Sequence, residues 1–236
     1  MVEMKNGQSS NLVTDVDRRA EELIIGTIRK AYPDHGFLAE ESGGGETPAD
    51  YRWVIDPLDG TTNFTHGLPI FCTSIGLEHR GKLLLGVVYD PNQDELFTAE
   101  AGKGAFLNGK RIRVSGTATL TDSLLVTGFP YNIRENPDHA IQHFNNFLTR
   151  SRAVRRLGSA ALDLCYVACG RFDGFWEVAL NPWDMAAGVL IVSEAGGKIT
   201  DFQGRPSTIY QKQMLASNGK IHEQMKSILQ KETAVA

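Results

Sequence analysis

Residues 51–64 read Tyr51-Arg52-Trp53-Val54-Ile55-Asp56-Pro57-Leu58-Asp59-Gly60-Thr61-Thr62-Asn63-Phe64. The first five residues are mostly aromatic or β-branched, which predicts a buried strand. Pro57 has no backbone N–H to donate to a neighbouring strand, so we expect the strand to end there. Asp56 and Asp59 then follow at the strand end, three residues apart, and we expect both carboxylates to turn toward one point.

The residues after Asp59 suit a bound anion. Gly60 has no Cβ and lets the backbone approach a ligand. Thr61 and Thr62 add hydroxyl groups, and the free N–H groups of a turn or of a following helix attract anions. Two carboxylates beside such N–H groups describe a site for a divalent metal and a phosphate. An ordinary Asp-rich turn is the alternative interpretation.

Further acids stand at the ends of predicted elements: Glu40 and Glu41 after a predicted strand 36–39, Asp17 at the start of a predicted helix 14–31, and Asp184 at the start of a predicted helix 182–195. Each also has a purely structural explanation. Adjacent glutamates are usually solvated, Asp184 suits the positive end of a helix dipole, and Asp17 forms a capping box with Thr14. None of these acids is decisive alone.

If Glu40, Asp56, Asp59 and Asp184 converge, they need cations among them. Two carboxylates about 4 Å apart repel by roughly 4 kcal/mol at an effective dielectric of about 20, so four would take up protons in the absence of cations. No His or Cys accompanies them, and an all-oxygen ligand set favours Mg²⁺ or Mn²⁺ over Zn²⁺. Hydrolysis of a phosphate monoester by metal-activated water is the chemistry that such a site suits.

The rest of the chain alternates strands and helices without a long linker or repeat. Strands are predicted at 72–78, 83–89, 95–100, 104–107, 111–114, 123–129, 153–157, 172–178 and 214–216, and helices at 139–149, 159–168 and the C-terminus. Residues 104–110 nearly match a Walker A loop. Arg111 replaces the required Ser or Thr and the segment lies between strands around an Asn108-Gly109 turn, which argues against a nucleotide triphosphatase.

The combined motifs resemble the inositol monophosphatase family of metal-dependent, lithium-sensitive phosphatases. The matching segments, in family order, are Val13-Thr14-x-x-Asp17, Glu40-Glu41-Ser42, Asp56 to Phe64, Gly158-Ser159-Ala160-Ala161, Trp183-Asp184-x-Ala186-Ala187-Gly188 and Glu194-Ala195-Gly196-Gly197. The resemblance runs from Lys5 to the final helix. It implies an α/β fold built as a layered α/β/α/β/α sandwich of the inositol monophosphatase and fructose-1,6-bisphosphatase type. It also implies one phosphatase domain, 1–236, with a metal- and phosphate-binding half (1–115) and a substrate half (116–236).

The resemblance also implies roles for individual residues. The metal ligands would be Glu40, Asp56, the Leu58 carbonyl, Asp59 and Asp184, holding two to three Mg²⁺ ions. Asp17, Thr61 and Glu40 would be catalytic, with Asp17 and the Thr61 hydroxyl orienting and deprotonating the attacking water. The substrate would be bound by Asp59, Gly60, Thr61, Ala160 and Glu177. Glu41 matches the second acid of its pair and has no defined role.

The resemblance favours Mg²⁺-dependent hydrolysis of a small phosphate monoester, first of all myo-inositol monophosphate. The alternatives with the same chemistry are fructose-1,6-bisphosphate, histidinol phosphate and 3′-phosphoadenosine 5′-phosphate. A further alternative is a non-catalytic role with RNA or RNA polymerase, as in some bacterial members. The dense basic cluster Arg150, Arg152, Arg155 and Arg156 would support that contact, but a solvated helix end and strand edge is the favoured explanation.

Composition agrees with a cytoplasmic enzyme. The chain has 236 residues, with 42% hydrophobic and 22% charged residues, which is typical of a globular protein. A formal net charge of −4 gives no overall attraction to nucleic acid or anionic lipid. No apolar run approaches the roughly 20 residues that span a bilayer. Three cysteines fit a reducing compartment, and Cys165 and Cys169 are predicted to be buried thiols rather than metal ligands.

The N-terminus departs from the family pattern. The family carries a further helix before the Val-Thr-x-x-Asp segment, whereas about a dozen residues precede it here, so we expect that helix to be missing. The family resemblance predicts a homodimer, and loss of the helix would weaken it by exposing apolar surface.

Overall fold

The computed structural model describes residues 2–4, 12–43 and 49–231. The strands are β1 (Val2–Met4), β2 (Leu12–Thr14), β3 (Gly36–Ala39), β4 (Tyr51–Asp59), β5 (Cys72–His79), β6 (Lys82–Asp90), β7 (Glu95–Glu100), β8 (Gly104–Leu107), β9 (Lys110–Arg111), β10 (Leu124–Thr127), β11 (Ala153–Arg155), β12 (Gly174–Val178), β13 (Lys198–Thr200) and β14 (Gln213–Ser217). The α-helices are α1 (Asp15–Ala31), α2 (Thr61–Thr65), α3 (Ala140–Leu148), α4 (Ala160–Ala168), α5 (Pro182–Glu194) and α6 (His222–Lys231).

The strands form two large sheets and one small ribbon. The seven-stranded sheet has the order β3-β4-β5-β6-β7-β8-β9 and is antiparallel except for the parallel pair β3 and β4. The five-stranded sheet has the order β11-β10-β12-β14-β13, with β10 parallel to both β11 and β12. The remaining strands, β1 and β2, pair antiparallel with each other.

Helices and sheets alternate in five layers. Helix α1 packs on the outer face of the seven-stranded sheet, α4 and α5 lie between the two sheets, and α3 and α6 cover the far side of the five-stranded sheet. The apolar side chains are buried in three matching clusters: a large one around α4 and α5, one under α3 and α6, and a small one beneath α1. The predicted α/β/α/β/α arrangement is confirmed.

Helix α1 begins as its sequence predicts. The Thr14 hydroxyl accepts hydrogen bonds from the N–H groups of Val16 and Asp17, and the Asp17 carboxylate accepts one from the Thr14 N–H. This is the capping box expected from the T-x-x-D spacing. It fixes the Asp17 side chain at the first turn of α1.

Strand β4 does not stop at Pro57, so that prediction is wrong. The strand runs to Asp59, and its pairing with β5 passes from Asp56–Ser74 to Asp59–Cys72. Three steps along β4 therefore oppose two along β5, which is a bulge with one extra residue. A bulge leaves a residue unpaired, so it tolerates the missing N–H of Pro57. It also turns Asp56 and Asp59 to the same side, whereas residues three apart in a regular strand face opposite sides.

Helix α5 lies unusually close to the seven-stranded sheet. A Cβ on Gly76 of β5 would stand 2.7 Å from the Ala186 Cβ, and one on Gly86 of β6 would stand 2.7 Å from the Ala187 carbonyl oxygen. Only glycine allows this approach at these two positions. The close packing fixes the start of α5, which carries Asp184, next to the end of β4.

Several predicted boundaries need correction. The strand predicted at 111–114 is shorter and earlier, at Lys110–Arg111, and the one predicted at 123–129 covers only Leu124–Thr127. Strands β1, β2 and β13 were not predicted. The prediction of a missing N-terminal helix concerns the start of the chain. Residues 1 and 5–11 of that segment, including Lys5, lie outside the described residues.

Candidate active site

A cleft of about 350 Å³ opens between the two sheets. Nine of the predicted site residues line it: Glu40, Asp56, Leu58, Asp59, Gly60, Thr61, Ala160, Glu177 and Asp184. Asp17 is completely buried and lies behind the cleft wall. Glu41 is not among the lining residues.

Four elements bring the predicted acids of the cleft together. Glu40 follows β3, while Asp56 and Asp59 lie on β4, the neighbouring strand. Glu177 lies on β12 of the other sheet, and Asp184 is in the first turn of α5 between the sheets. Strand ends and helix starts from both halves of the chain therefore share one cleft.

The Asp59 carboxylate is held by the start of α4. Its Oδ2 accepts hydrogen bonds from the Ser159 hydroxyl at 2.7 Å and from the Ala161 N–H at 2.7 Å, and the Cys72 thiol lies 3.9 Å away. Burial raises the pKa of Asp59, and the hydrogen bond from Ser159 opposes this rise most strongly. Asp59 is thus fixed in place as a half-buried acid that lines the cleft.

Asp184 both caps the start of α5 and lines the acidic cleft. Its Oδ2 accepts a hydrogen bond from the Asn181 N–H at 2.7 Å, which completes a capping box at the start of α5. Burial raises the pKa of Asp184 to about 8, and the negative charges of Asp59 and Glu40 add to the rise. The sequence suggested a helix-dipole role for Asp184; the structure places it in the first turn of α5 and adds the capping box, and the same carboxylate also lines the cleft.

Asp56 lies among the other acids and is 2% exposed. Burial raises its pKa well above the ordinary value, followed by the charges of Glu40, Asp59 and Asp184. The Leu58 N–H, which donates to Asp56 Oδ1 at 3.0 Å, opposes this rise. A buried acid surrounded by three others is stabilised in its charged form only if positive charge enters the cleft.

These acids fit a hard divalent cation. Their donor atoms are all oxygens, as Mg²⁺ prefers, and all four acids line the same cleft. Within residues 2–4, 12–43 and 49–231, no three His, Cys, Asp or Glu side chains lie close enough together to form a complete metal site as they stand. The acids line an open cleft, and the donor set fits the ion.

Thr61 connects the cleft to Asp17. Its hydroxyl lies 3.1 Å from Asp17 Oδ1 and 3.1 Å from the Leu58 carbonyl oxygen. The other Asp17 oxygen is occupied by the Thr14 N–H and hydroxyl, at 2.9 and 2.5 Å. Asp17 is therefore connected to the cleft by its hydrogen bond with the Thr61 hydroxyl.

Gly60 is required for a different reason than the sequence suggested. It has a φ of 98° and caps α2. A Cβ at this position would stand 2.9 Å from the Ile70 carbonyl oxygen. The close neighbour is thus the chain itself, while the first N–H groups of α2 remain available for an anion, because a first turn has no intrahelical acceptors for them.

The sequence did not single out three side chains that shape the site. Glu21, which is buried on α1, accepts hydrogen bonds from the N–H groups of Glu41 and Ser42 at 2.8 and 2.9 Å and so holds the turn that follows Glu40. Ser159 binds Asp59, and Asp163 lines the cleft from α4. The four-residue spacing of Asp17 and Glu21 on one helix face was the available signal for Glu21.

The basic cluster does not form one free patch. Arg150 donates to the Asn146 carbonyl oxygen at the end of α3, and Arg152 pairs with Asp122 at 3.1 Å. Arg155 donates to the Val154 carbonyl oxygen, and Arg156 lines the cleft. The contacts of Arg150, Arg152 and Arg155 agree with the favoured explanation, a solvated helix end and strand edge.

The cysteines behave largely as predicted. Cys72 and Cys165 are buried, Cys169 is only partly buried, and all three are free thiols. None of the helices that the structure describes has the length and apolar character needed to span a bilayer.

The chain is similar in sequence and in structure to proteins of one known family. The family model described as "Inositol monophosphatase family" matches residues 1–234. An inositol-1-monophosphatase from Synechocystis sp. is 48% identical over 226 residues, covering 95% of this chain and 79% of the relative. The Nus factor SuhB of Pseudomonas aeruginosa is 46% identical over 235 residues, covering 98% and 87%. The solved structure of inositol monophosphatase from Anabaena (Nostoc) sp. is 49% identical, with a TM-score of 0.90, covering 93% of this chain and 87% of that chain.

Proposed function

Because the chain belongs to the inositol monophosphatase family, and is thus a metal-dependent phosphoric monoester hydrolase, we propose that it hydrolyses myo-inositol monophosphate with Mg²⁺. The observation that carries this proposal is the cleft that joins four acids on one side to Glu177 on the other. The acids suit a metal and a phosphate, and Glu177 suits a hydroxyl group of the alcohol.

The proposed metal ligands are Glu40, Asp56, the Leu58 carbonyl, Asp59 and Asp184. Two to three Mg²⁺ ions would neutralise these carboxylates and, when bound, supply Lewis acidity and a more acidic water. Their mutual repulsion and burial support the assignment, since bound cations would offset both the repulsion and the cost of burying the charges.

Thr61 and Asp17 would orient the attacking water. The Thr61 hydroxyl lines the cleft, and its hydrogen-bond distance to Asp17 lets a proton pass from the cleft toward a buried carboxylate. Glu40, which lines the same cleft, would assist them. The N–H groups of Gly60 and Thr61, at the start of α2, would bind the phosphate oxygens.

The alcohol half would be bound by Asp59, Ala160 and Glu177. Glu177 is buried on β12, and burial raises its pKa well above the ordinary value, with further contributions from Asp184 and Asp59. A carboxyl group in this position can hydrogen-bond a substrate hydroxyl, and the cost of leaving it unpaired disfavours substrates without one.

Phosphate release tests the proposal directly. The panel contains inositol 1-phosphate, fructose-1,6-bisphosphate, histidinol phosphate and 3′-phosphoadenosine 5′-phosphate, each with Mg²⁺, with EDTA, and with Mg²⁺ plus Li⁺. We expect Mg²⁺-dependent release that is fastest from inositol 1-phosphate and reduced by Li⁺. Faster release from another ester would overturn the substrate while leaving the family chemistry intact.

A role in transcription is the second candidate, because several relatives carry the name Nus factor SuhB. The exposed Arg152 and Arg155 lie on the surface near the end of α3. A gel-shift assay with RNA would test it: binding that is lost in an Arg152→Glu/Arg155→Glu variant supports the role, and no shift contradicts it. The homodimer and the cytoplasmic location remain predictions.

A further inference from the structure

Asp163 is a buried acid without a hydrogen-bond partner. It lies in the first turns of α4, is 1% exposed and lines the cleft. Neither of its carboxyl oxygens has a hydrogen-bond partner in the part of the chain that the structure describes. A buried polar group left unpaired lowers the stability of the folded protein, so a position of this kind usually serves a ligand.

Asp163 and Glu177 both line the cleft, Asp163 from α4 and Glu177 from β12. Burial raises the pKa of Asp163 most, and the charges of Glu177 and Asp59 add to the rise. Arg156, which also lines the cleft, opposes the rise for both Asp163 and Glu177. The two acids therefore belong to one cleft, although they come from different elements of the fold.

Glu177 itself is pressed against the backbone of the neighbouring strand end. A Cβ on Gly128, which follows β10, would stand 2.3 Å from both Glu177 carboxyl oxygens. Glu177 therefore has little freedom to move away from the cleft on that side. The fixed position of Glu177 and the unpaired state of Asp163 leave hydrogen-bonding capacity that a ligand with more than one hydroxyl group can use.

We propose that Asp163 determines substrate specificity by hydrogen-bonding one hydroxyl of the alcohol while Glu177 binds a neighbouring hydroxyl. The cleft then selects phosphate esters of polyols with adjacent hydroxyls over esters of simple alcohols. This inference rests on the proposed phosphatase function and deepens it by naming the feature of the alcohol that the cleft recognises, a pair of adjacent hydroxyl groups.

The test compares Asp163→Ala with Asp163→Asn on two substrates, inositol 1-phosphate and p-nitrophenyl phosphate, at saturating Mg²⁺. We expect Asp163→Ala to lower kcat/KM for inositol 1-phosphate at least about tenfold, as loss of one hydrogen bond to a buried group implies. The value for p-nitrophenyl phosphate, which offers no hydroxyl, should stay within about twofold of wild type by the same reasoning. Asp163→Asn keeps hydrogen-bonding atoms and should retain more of the selectivity than Asp163→Ala.

A matched control separates specificity from packing. Cys165→Ala removes a completely buried side chain from the same helix without touching the cleft lining, so it should not change the ratio of the two kcat/KM values. Melting temperatures should show both variants folded. Monodeoxy inositol 1-phosphates complete the test, because Asp163→Ala should cost nothing further on the analogue that lacks the partner hydroxyl.

Different results would overturn the proposed substrate and the proposed role of Asp163. Absence of Mg²⁺-dependent release from inositol 1-phosphate by the wild-type protein would overturn the proposed substrate. Normal release by the wild type together with equal release by Asp163→Ala, or an equal loss on both substrates, would overturn the role of Asp163 alone.

Discussion

The Thr61 hydroxyl lies 3.1 Å from Asp17 Oδ1, and this contact links the first turn of α2 to the first turn of α1. Asp17 is completely buried, whereas Thr61 lines the cleft. Because Thr14 holds the other Asp17 oxygen, the carboxylate cannot rotate toward the cleft without breaking the capping box. In the proposed mechanism, Asp17 would therefore influence the attacking water through the Thr61 hydroxyl.

Replacing the Thr61 hydroxyl should stop turnover without unfolding the protein. Thr61→Val keeps the shape and removes the proton path, and we expect kcat to fall roughly 10²- to 10⁴-fold, the usual contribution of general acid–base catalysis. Thr61→Ser, which keeps the hydroxyl, is the matched control and should stay far more active. Steady-state kinetics measure both, and an active Thr61→Val variant would refute the pathway.

Removing a cleft carboxylate should separate stability from activity. We expect Asp184→Asn and Asp56→Asn to lower Mg²⁺-dependent kcat by about 10²-fold or more, since each removes a proposed ligand. In EDTA near neutral pH the same variants should melt at a higher temperature than wild type, because an Asn side chain is neutral without the proton that the raised-pKa carboxyl must take up on folding. Calorimetric Mg²⁺ binding and thermal melts check both effects; near wild-type turnover at saturating Mg²⁺ would show that these residues are not ligands.

The metal-free protein should become less stable as pH rises. The pKa of Asp184 is raised from 3.8 to about 8, and the pKa values of Asp56 and Glu177 are also raised, so the folded state holds protons that the unfolded state releases above pH 4. The free energy of unfolding then falls between about pH 4 and pH 8, by up to about 1.4 kcal/mol per pH unit for each such group. Urea titrations in EDTA at pH 5.5, 6.5 and 7.5 measure the slope.

Asp184→Asn supplies the control for this pH dependence. The variant should show a shallower slope because one group that holds a proton in the folded state is gone. A wild-type stability that rises with pH over this range would contradict the raised pKa values.

Filling the space at Gly128 should disturb recognition of the alcohol. The Cβ of a Gly128→Ala variant would collide with both Glu177 carboxyl oxygens at 2.3 Å, so Glu177 must move. We expect kcat/KM for inositol 1-phosphate to fall roughly tenfold to 10²-fold, as displacements of about 1 Å commonly cause. Gly116→Ala is the control, since its Cβ would meet nothing nearer than the Lys220 amine at 3.8 Å and should leave kinetics unchanged.

The sequence predicted the acids of the site but not their surroundings. Glu40, Asp56, Asp59 and Asp184 were predicted because short motifs place them near element ends, and Glu177 because of the family resemblance; the structure brings all five to one cleft. Their convergence was an inference from charge and family resemblance. Periodicity alone cannot tell which strand end faces which helix start.

The missed features depend on contacts between distant segments. The bulge in β4 is visible only in the pairing with β5, so Pro57 was wrongly taken as the strand end. Asp163 lies in an apolar helix, where a single acid reads as a surface position until the burial of the whole helix is known. Ser159 was noted as part of a motif, but its hydrogen bond to Asp59 joins residues a hundred positions apart.

The position of α5 between the sheets also sets an order of assembly. Glu40, Asp56 and Asp59 precede or lie on β4, early in the chain, whereas Asp184 is synthesised much later and reaches them only when α5 docks on β5 and β6. An N-terminal fragment holding the first three acids therefore lacks the fourth, and its affinity for cations is that of an incomplete set. A cation site built from all four acids would therefore be completed only after α5 has been synthesised and has docked, late in biosynthesis.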